Sequence, residues 1–278
     1  MYEPKRLPSL TAKTIPVPDM KYGLFCRPNP IDIDDPTLDP LHIHEYLEIF
    51  YNLGDEVSFL VNGTLYPVAK GEILINRPGD VHVCIFPRSA VYDYGCLWID
   101  ADFSSPIFSF LKKEDFSPLL SFPDGEEGEI LALLAELDEI KEKESESARA
   151  VTVLLSILSE LGRRGTEKKQ ASLLPKNLTE ILRYINEGFT EIANVTDVAE
   201  KFFISPSTLN RYFRTHLRTT PREYVEAKRL ALAMELLKGG ASVTEASAEA
   251  GFPDCSHFIV LFKKKFGKTP LRYKKDAI

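Results

Sequence analysis

Residues 194–217 read NVTDVAEKFFISPSTLNRYFRTHL, and residues 242–270 read SVTEASAEAGFPDCSHFIVLFKKKFGKTP. Each stretch spells a helix, a tight turn and a second helix. In the first, a helix over 196–202 is followed by the turn Phe203-Ile204-Ser205, and the second helix opens at Pro206. Ser205 suits an N-cap, because its hydroxyl accepts from an orphan backbone N–H; proline suits the next position, where its missing N–H costs nothing. Val198, Phe202, Leu209, Phe213 and Leu217 keep the apolar spacing of two packed helices. Ser207, Thr208, Asn210, Arg211 and Arg214 then lie on the polar side of the second helix. Hydroxyl, amide and guanidinium groups of this kind read base edges or grip phosphates.

The second stretch predicts a helix over 243–250, a left-handed turn at Gly251, and a helix over 255–266 capped by Asp254 and closed by Gly267. Lys263, Lys264 and Lys265 crowd its end, where they suit the helix dipole and would meet phosphate. Between the two stretches, residues 221–238 carry Val225, Leu232, Ala233, Leu236 and Leu237 on one stripe. About 17 residues at roughly 1.5 Å each make a rod of about 25 Å. Such a rod can hold two recognition helices on one face of DNA, where successive major grooves are about 34 Å apart. Arg229 falls inside the apolar stripe and needs a buried partner; Asp254 is the expected one.

The runs RLALAMELL (229–237), AGFPDCSHF (250–258) and FKKKFGKTPLRY (262–273) resemble the C-terminal domain of AraC/XylS-type transcription regulators. The resemblance covers roughly the last hundred residues. It implies that both recognition helices enter adjacent major grooves. Ser207, Asn210 and Arg211 match the base-reading positions of the first helix, and Cys255, Ser256 and His257 those of the second. Ile259 and Val260 stand where the family often has polar residues, and Ala246 and Ala250 where larger aliphatics are usual. The second motif is therefore expected to give more phosphate grip than base reading.

A net charge of −7 looks wrong for a DNA binder until the chain is divided. Residues 176–278 hold 17 basic and 12 acidic residues; residues 1–175 hold 17 and 29. The basic excess sits with the two motifs, and DNA repels the acidic part. Cysteines 26, 84, 96 and 255 show no paired spacing, which reads as reduced thiols in a cytosolic protein. MYEPKRLPSLTAK lacks the apolar core of a signal peptide, and no run is long and apolar enough to span a membrane.

Residues 1–40 are rich in proline and aspartate and read as an arm with short extended pieces. From 41 to 103 the pattern is β: strands over 47–53, 57–61, 64–68, 72–76, 81–86 and 91–102, with Asn62-Gly63 as a type I′ hairpin turn. Inside this region stand His42-x-His44-x₃-Glu48 and Gly71-x₇-Gly79-x₂-His82. They resemble the two motifs of the cupin barrel, except that Arg77 holds the place of the usual proline. His42, His44 and Glu48 share strand parity. In metal cupins the matching residues bind a divalent ion, and imidazole with carboxylate suits first-row transition metals. The same residues also fit a metal-free pocket for an organic effector, as in AraC-type sensors, or a purely structural role. The expectation is an organic effector and no cofactor, with a divalent transition metal as the alternative.

Tyr92, Tyr94, Cys96, Trp98 and Asp100 share one face of the last strand. An aromatic face beside polar groups suits a sugar ring, and the stretch loosely resembles the sugar-contacting strand of arabinose-responsive members; Tyr94 and Trp98 are the candidate contacts. Trp98 fits the core equally well. Two helical stripes follow, Ile130–Leu133–Leu134–Leu137–Ile140 and Val151–Leu154–Leu155–Leu158–Leu161, separated by a charged joint at 141–147. They cover the barrel or offer a ridge to a second copy.

The expected protein is α+β and multidomain. An arm and cupin-like jelly-roll barrel (1–125) lead into a helical dimerisation pair (126–164), a linker (165–175) and an all-α double helix-turn-helix domain (176–278). The expected function is small-molecule-controlled, sequence-specific DNA binding. The partners implied are double-stranded DNA, an effector of sugar type, a second copy of the chain and RNA polymerase, with no membrane. A metal-dependent cupin enzyme or metal sensor is the rival, although no further general base or substrate anchor is visible. A regulator with an unliganded, structural barrel is a third reading.

Overall fold

The computed structural model describes residues 20–34, 41–114, 116–122, 127–140, 146–164 and 174–277. Most of the proposed arm, the joint between the helical stripes and nearly all of the linker lie outside the described residues. The N-terminal half contains β1 (Met20–Ile31), β2 (Leu47–Asn52), β3 (Val57–Val61), β4 (Thr64–Val68), β5 (Ile73–Asn76), β6 (His82–Ile85) and β7 (Ala90–Ala101). A 3-10 helix at Pro106–Lys112, β8 (Leu119–Leu120), α1 (Glu127–Glu139) and α2 (Ser147–Arg164) complete it. The C-terminal half is helical: α3 (Lys176–Gly188), α4 (Val195–Lys201), α5 (Pro206–Leu217), α6 (Pro221–Lys238), α7 (Val243–Glu249), α8 (Cys255–Phe266) and α9 (Pro270–Ala277).

The strands form two antiparallel sheets, β1-β7-β2-β5-β8 and β4-β3-β6. Part of the expected arm is therefore a strand: β1 pairs with β7 along its whole length. Its Pro28 and Pro30 hid it, but β1 is an edge strand, where proline is tolerated. Asn62 and Gly63 close the β3–β4 hairpin with φ of 48° and 88°, the left-handed pair a type I′ turn requires.

The expected closed barrel is not borne out by the strand pairing. Among the described residues no ladder runs continuously around both sheets. Strands β5 and β6 are four residues long and β8 is two, too short to carry hydrogen bonds around the corners. The sheets instead face each other across an apolar layer that includes Phe50, Phe59, Val61, Leu74 and Tyr92. One backbone bridge, His42↔His82, extends the smaller sheet beyond β6.

Alternation along the strands builds two further layers. Leu47, Ile49 and Tyr51 point out of the larger sheet and pack under α1 and α2. The helices give Ile130, Leu134, Leu137, Leu154, Leu158 and Leu161 to this contact. At about 1.5–3 kcal/mol for each fully buried aliphatic side chain, the stripes are largely committed to their own sheet. Leu133 and Leu155 are left on the outer groove, with Leu155 39 % exposed. On the other side, Leu60, Leu65, Val81 and Val83 point out of the smaller sheet into the core shared with α3 and α6. The order of layers is thus helical pair, larger sheet, smaller sheet, C-terminal helices.

Arg229 corrects the sequence reading. It is buried, but its partners are backbone carbonyls: Nε donates to Phe189 O at 3.0 Å and Nη2 to Ile192 O at 2.6 Å. Phe189 is the C-cap of α3, so the guanidinium meets carbonyls with no helical donor and the negative end of a helix dipole. Asp254 caps α8 instead, accepting from Ser256 N at 2.8 Å.

Candidate nucleic-acid interface and buried histidine cluster

Each recognition helix starts at a fixed point. Ser205 accepts from Thr208 N at 3.0 Å to cap α5, and Asp254 caps α8. Thr220 and Glu223 bond reciprocally at the start of α6, as do Ser242 and Glu245 at the start of α7. Burial of Leu209, Phe213 and Leu217 turns the opposite face of α5 to solvent. Ser207, Asn210, Arg211 and Arg214 are exposed there, and Thr208 is half-buried with its hydroxyl 2.9 Å from that of Ser205. The Asn210 amide donates to Pro206 O at 3.0 Å, leaving its side-chain oxygen outward.

On α8, Phe258 and Phe262 are buried, while Ser256, His257, Lys263 and Lys264 are exposed. Cys255 leans into the core and belongs less to the outer face than its neighbours. Two exposed apolar residues join these surfaces. Val260, 67 % exposed, follows Ser256 by one turn, and Phe203, 97 % exposed, holds a left-handed backbone in the turn before α5. Helical spacing from Ser256 was the signal for Val260. Nothing in the sequence marked Phe203 as outward. Rod α6, 18 residues and about 27 Å long, lies between the two motifs in the chain.

The second constellation lies between the sheets. His42, His44, Glu48 and His82 each place one ligand atom within 4.8 Å of all the others. Glu48 comes from the inner face of β2, and His82 from β6. His44 Nε2 is 3.4 Å and His82 Nε2 3.6 Å from the Glu48 carboxylate, too long for good hydrogen bonds. Both Nδ1 atoms are engaged, His44 with Tyr46 O and His82 with Asp80 O, each at 2.9 Å. Asn76 Nδ2 donates to Glu48 Oε1 at 2.8 Å. Burial lowers the His44 pKa below its ordinary value, more than Glu48 restores it. Burial alone would raise Glu48, but the neighbouring imidazoles of His44 and His82 outweigh it and hold the carboxyl well below the usual range. Burial, with the nearby Glu48 charge, pushes the Cys84 and Cys96 thiols well up, so both stay protonated.

Trp98 stands opposite Glu48 in the β2–β7 register and is half-buried. Its ring lies 5.8 Å from that of Tyr46, which in turn stacks on His44 at 3.7 Å. Tyr94 is drawn elsewhere, packed against Phe50 and Phe86 in the apolar layer. Tyr46 was missed from sequence, although its even parity with His44 and Glu48 was the available signal.

Residues 198–276 match a family described as a helix-turn-helix domain. The transcriptional activator RhaS of Salmonella schwarzengrund is 28 % identical over 257 residues, covering 86 % of this chain and 89 % of that protein. YbfI of Bacillus subtilis, an uncharacterized HTH-type transcriptional regulator, is 26 % identical over 78 % of this chain and 80 % of that one. Among solved structures, ToxT of Vibrio cholerae aligns over 92 % of this chain and 97 % of its own, with 13 % identity and a TM-score of 0.37, too slight a likeness to bear on how the halves meet. No described helix is long and apolar enough to cross a membrane. With two capped helix-turn-helix units flanking one rod, residues 198–276 carry a helix-turn-helix domain, and the chain is similar over most of its length to HTH-type transcription regulators.

Proposed function

We propose that this protein binds a specific DNA sequence through α5 and α8 in successive major grooves, under the control of a small polar effector bound between the sheets. The observation that carries the reading is the pair of capped helices, each turning an exposed polar or basic face outward. Arg211 is the principal base reader, and Ser207 and Asn210 assist it. Lys263 and Lys264 hold phosphate. Val260 supplies an apolar contact of the kind that suits a thymine methyl. A sugar or related metabolite fits the effector best, because the Trp98 and Tyr46 rings lie beside hydrogen-bonding groups. A second copy of the chain would bind a second half-site.

Selection of full-length protein against random duplexes tests this. The expected site has two short boxes about one helical turn apart. Arg211→Ala should relax one box and cost about 1–3 kcal/mol on the selected site. Lys264→Ala should weaken all duplexes alike and reduce the salt slope by about 1. Uniform loss in Arg211→Ala would refute the assignment of base reading.

A further inference from the structure

The histidine cluster has a surplus of acceptors. A backbone carbonyl only accepts, so the Nδ1 atoms of His44 and His82 both carry hydrogen. In neutral rings Nε2 is then a bare lone pair. Both Nε2 atoms are buried without a hydrogen-bond partner, and both face a carboxylate. A buried carboxylate faced by two imidazole nitrogens is a place that a cation at their centre suits.

The spacing indicates the kind of cation. A tetrahedral ion with bonds of about 2.1 Å sets its ligand atoms about 3.4 Å apart. The two imidazole–carboxylate separations, 3.4 Å from His44 to Oε2 and 3.6 Å from His82 to Oε1, lie near that value, and all four ligand atoms lie within 4.8 Å of one another. The carbonyls on Nδ1 are the outer partners that fix the tautomer and aim of a ligating histidine. A nitrogen-rich donor set favours first-row transition metals over magnesium or calcium.

The segment carrying two of these histidines also carries the DNA-binding half. His42 and His44 turn toward the cluster, while Leu41 and Ile43 lie in the core shared with α3 and α6. Lys265 Nζ, from α8, donates to Leu41 O at 3.3 Å, and Glu45 pairs with Lys268 at 3.6 Å. We propose that His42, His44, Glu48 and His82 bind one divalent first-row transition-metal ion, and that this ion holds segment 41–45 in the form that docks the DNA-binding half. Lys265 and Lys268 then face the sensor and are withheld from phosphate. This coupling rests on the reading of the chain as a DNA-binding regulator; the metal site does not.

The test uses untagged, full-length protein stripped of metal. Titration with cobalt(II), followed by its visible absorption, should show one equivalent bound with the spectrum of a low-coordinate ion. Glu48→Gln and His82→Gln, checked for folding by circular dichroism, should weaken binding by more than about tenfold. Should either misfold, His42→Gln at the half-exposed ligand takes its place. Absence of binding, or binding that the ligand variants leave unchanged, overturns the site. The second arm measures affinity for a mixed-sequence duplex against salt, with and without zinc. Zinc should weaken binding and reduce the salt slope by about 1–2. Glu45→Gln should still bind zinc but lose that response. Full zinc loading with unchanged DNA affinity overturns the coupling and leaves the site standing. Failure to bind DNA in either state overturns the regulator reading, while the cobalt titration reports on the metal site separately.

Discussion

Arg229 shows how one residue can be placed correctly and partnered wrongly. Its position in an apolar stripe was visible from spacing, and the structure buries it. Its partner was not visible, because the carbonyls of Phe189 and Ile192 belong to a helix end and carry no side-chain signature. The two pairings predict different mutant behaviour. Arg229→Ala should cost roughly 2–4 kcal/mol, since it removes charge-assisted bonds and leaves two carbonyls poorly satisfied. Asp254→Ala should cost about 1 kcal/mol, the value of an N-cap. Denaturant unfolding of the double variant should give a sum additive within about 0.5 kcal/mol. Coupling above about 1 kcal/mol would restore the Arg229–Asp254 pair. The outward residues were legible for a related reason: burial of Leu209, Phe213, Phe258 and Phe262 fixes which way a helix faces, and that is a matter of periodicity.

At the scale of elements, legibility followed locality. The starts of α5, α6 and α8 fell where Ser205, Pro221 and Asp254 put them, because a cap or a first-turn proline and the N–H groups it serves are neighbours in sequence. Strand β1 escaped notice because its prolines argue against a strand unless the strand lies at an edge, and edge position is a property of the finished sheet. Gly251 joins the two cases. Its turn was legible, and the structure gives it φ of 83°. Its tight packing was not: a Cβ there would stand 2.3 Å from the Thr190 carbonyl oxygen, in the loop after α3. Gly251→Ala therefore meets both an unfavourable backbone and a backbone clash. It should cost clearly more than about 1 kcal/mol and lower the unfolding midpoint. A neutral result would mean that α7 and α8 meet the α3 loop less closely than the structure has it.

For the whole molecule, the junction between the halves is what sequence could not disclose. The −12 and +5 charges of the two parts suggested separate tasks, and the segment before α3 read as a linker. Yet the smaller sheet shares one apolar core with α3 and α6. The contact is also specific in its polar groups. Asn186 of α3 donates to Asn62 O at 3.1 Å across the junction, and its side-chain oxygen accepts from Tyr224 of α6 at 2.9 Å. The β3–β4 turn fits there because residue 63 is glycine: a Cβ would stand 2.2 Å from Asn186 Nδ2 and 2.7 Å from the Tyr224 hydroxyl. Alternation explains the junction afterwards, since residues 60, 65, 81 and 83 must face away from the layer between the sheets. Those faces read equally well as half-exposed before their cover is known. Asn186→Ala leaves the Tyr224 hydroxyl and the Asn62 carbonyl without their partner at a largely buried contact, at a cost of about 1–3 kcal/mol. In a chain of this size each kcal/mol lowers the melting midpoint by about 2–4 °C. Wild-type protein should melt in one transition when followed both by helical signal and by the fluorescence of Trp98 in the sheet. Asn186→Ala should lower that midpoint and begin to separate the two signals, with the helical half melting independently of the sheets. If the variant melts as the wild type does, the halves are not docked through this contact in solution.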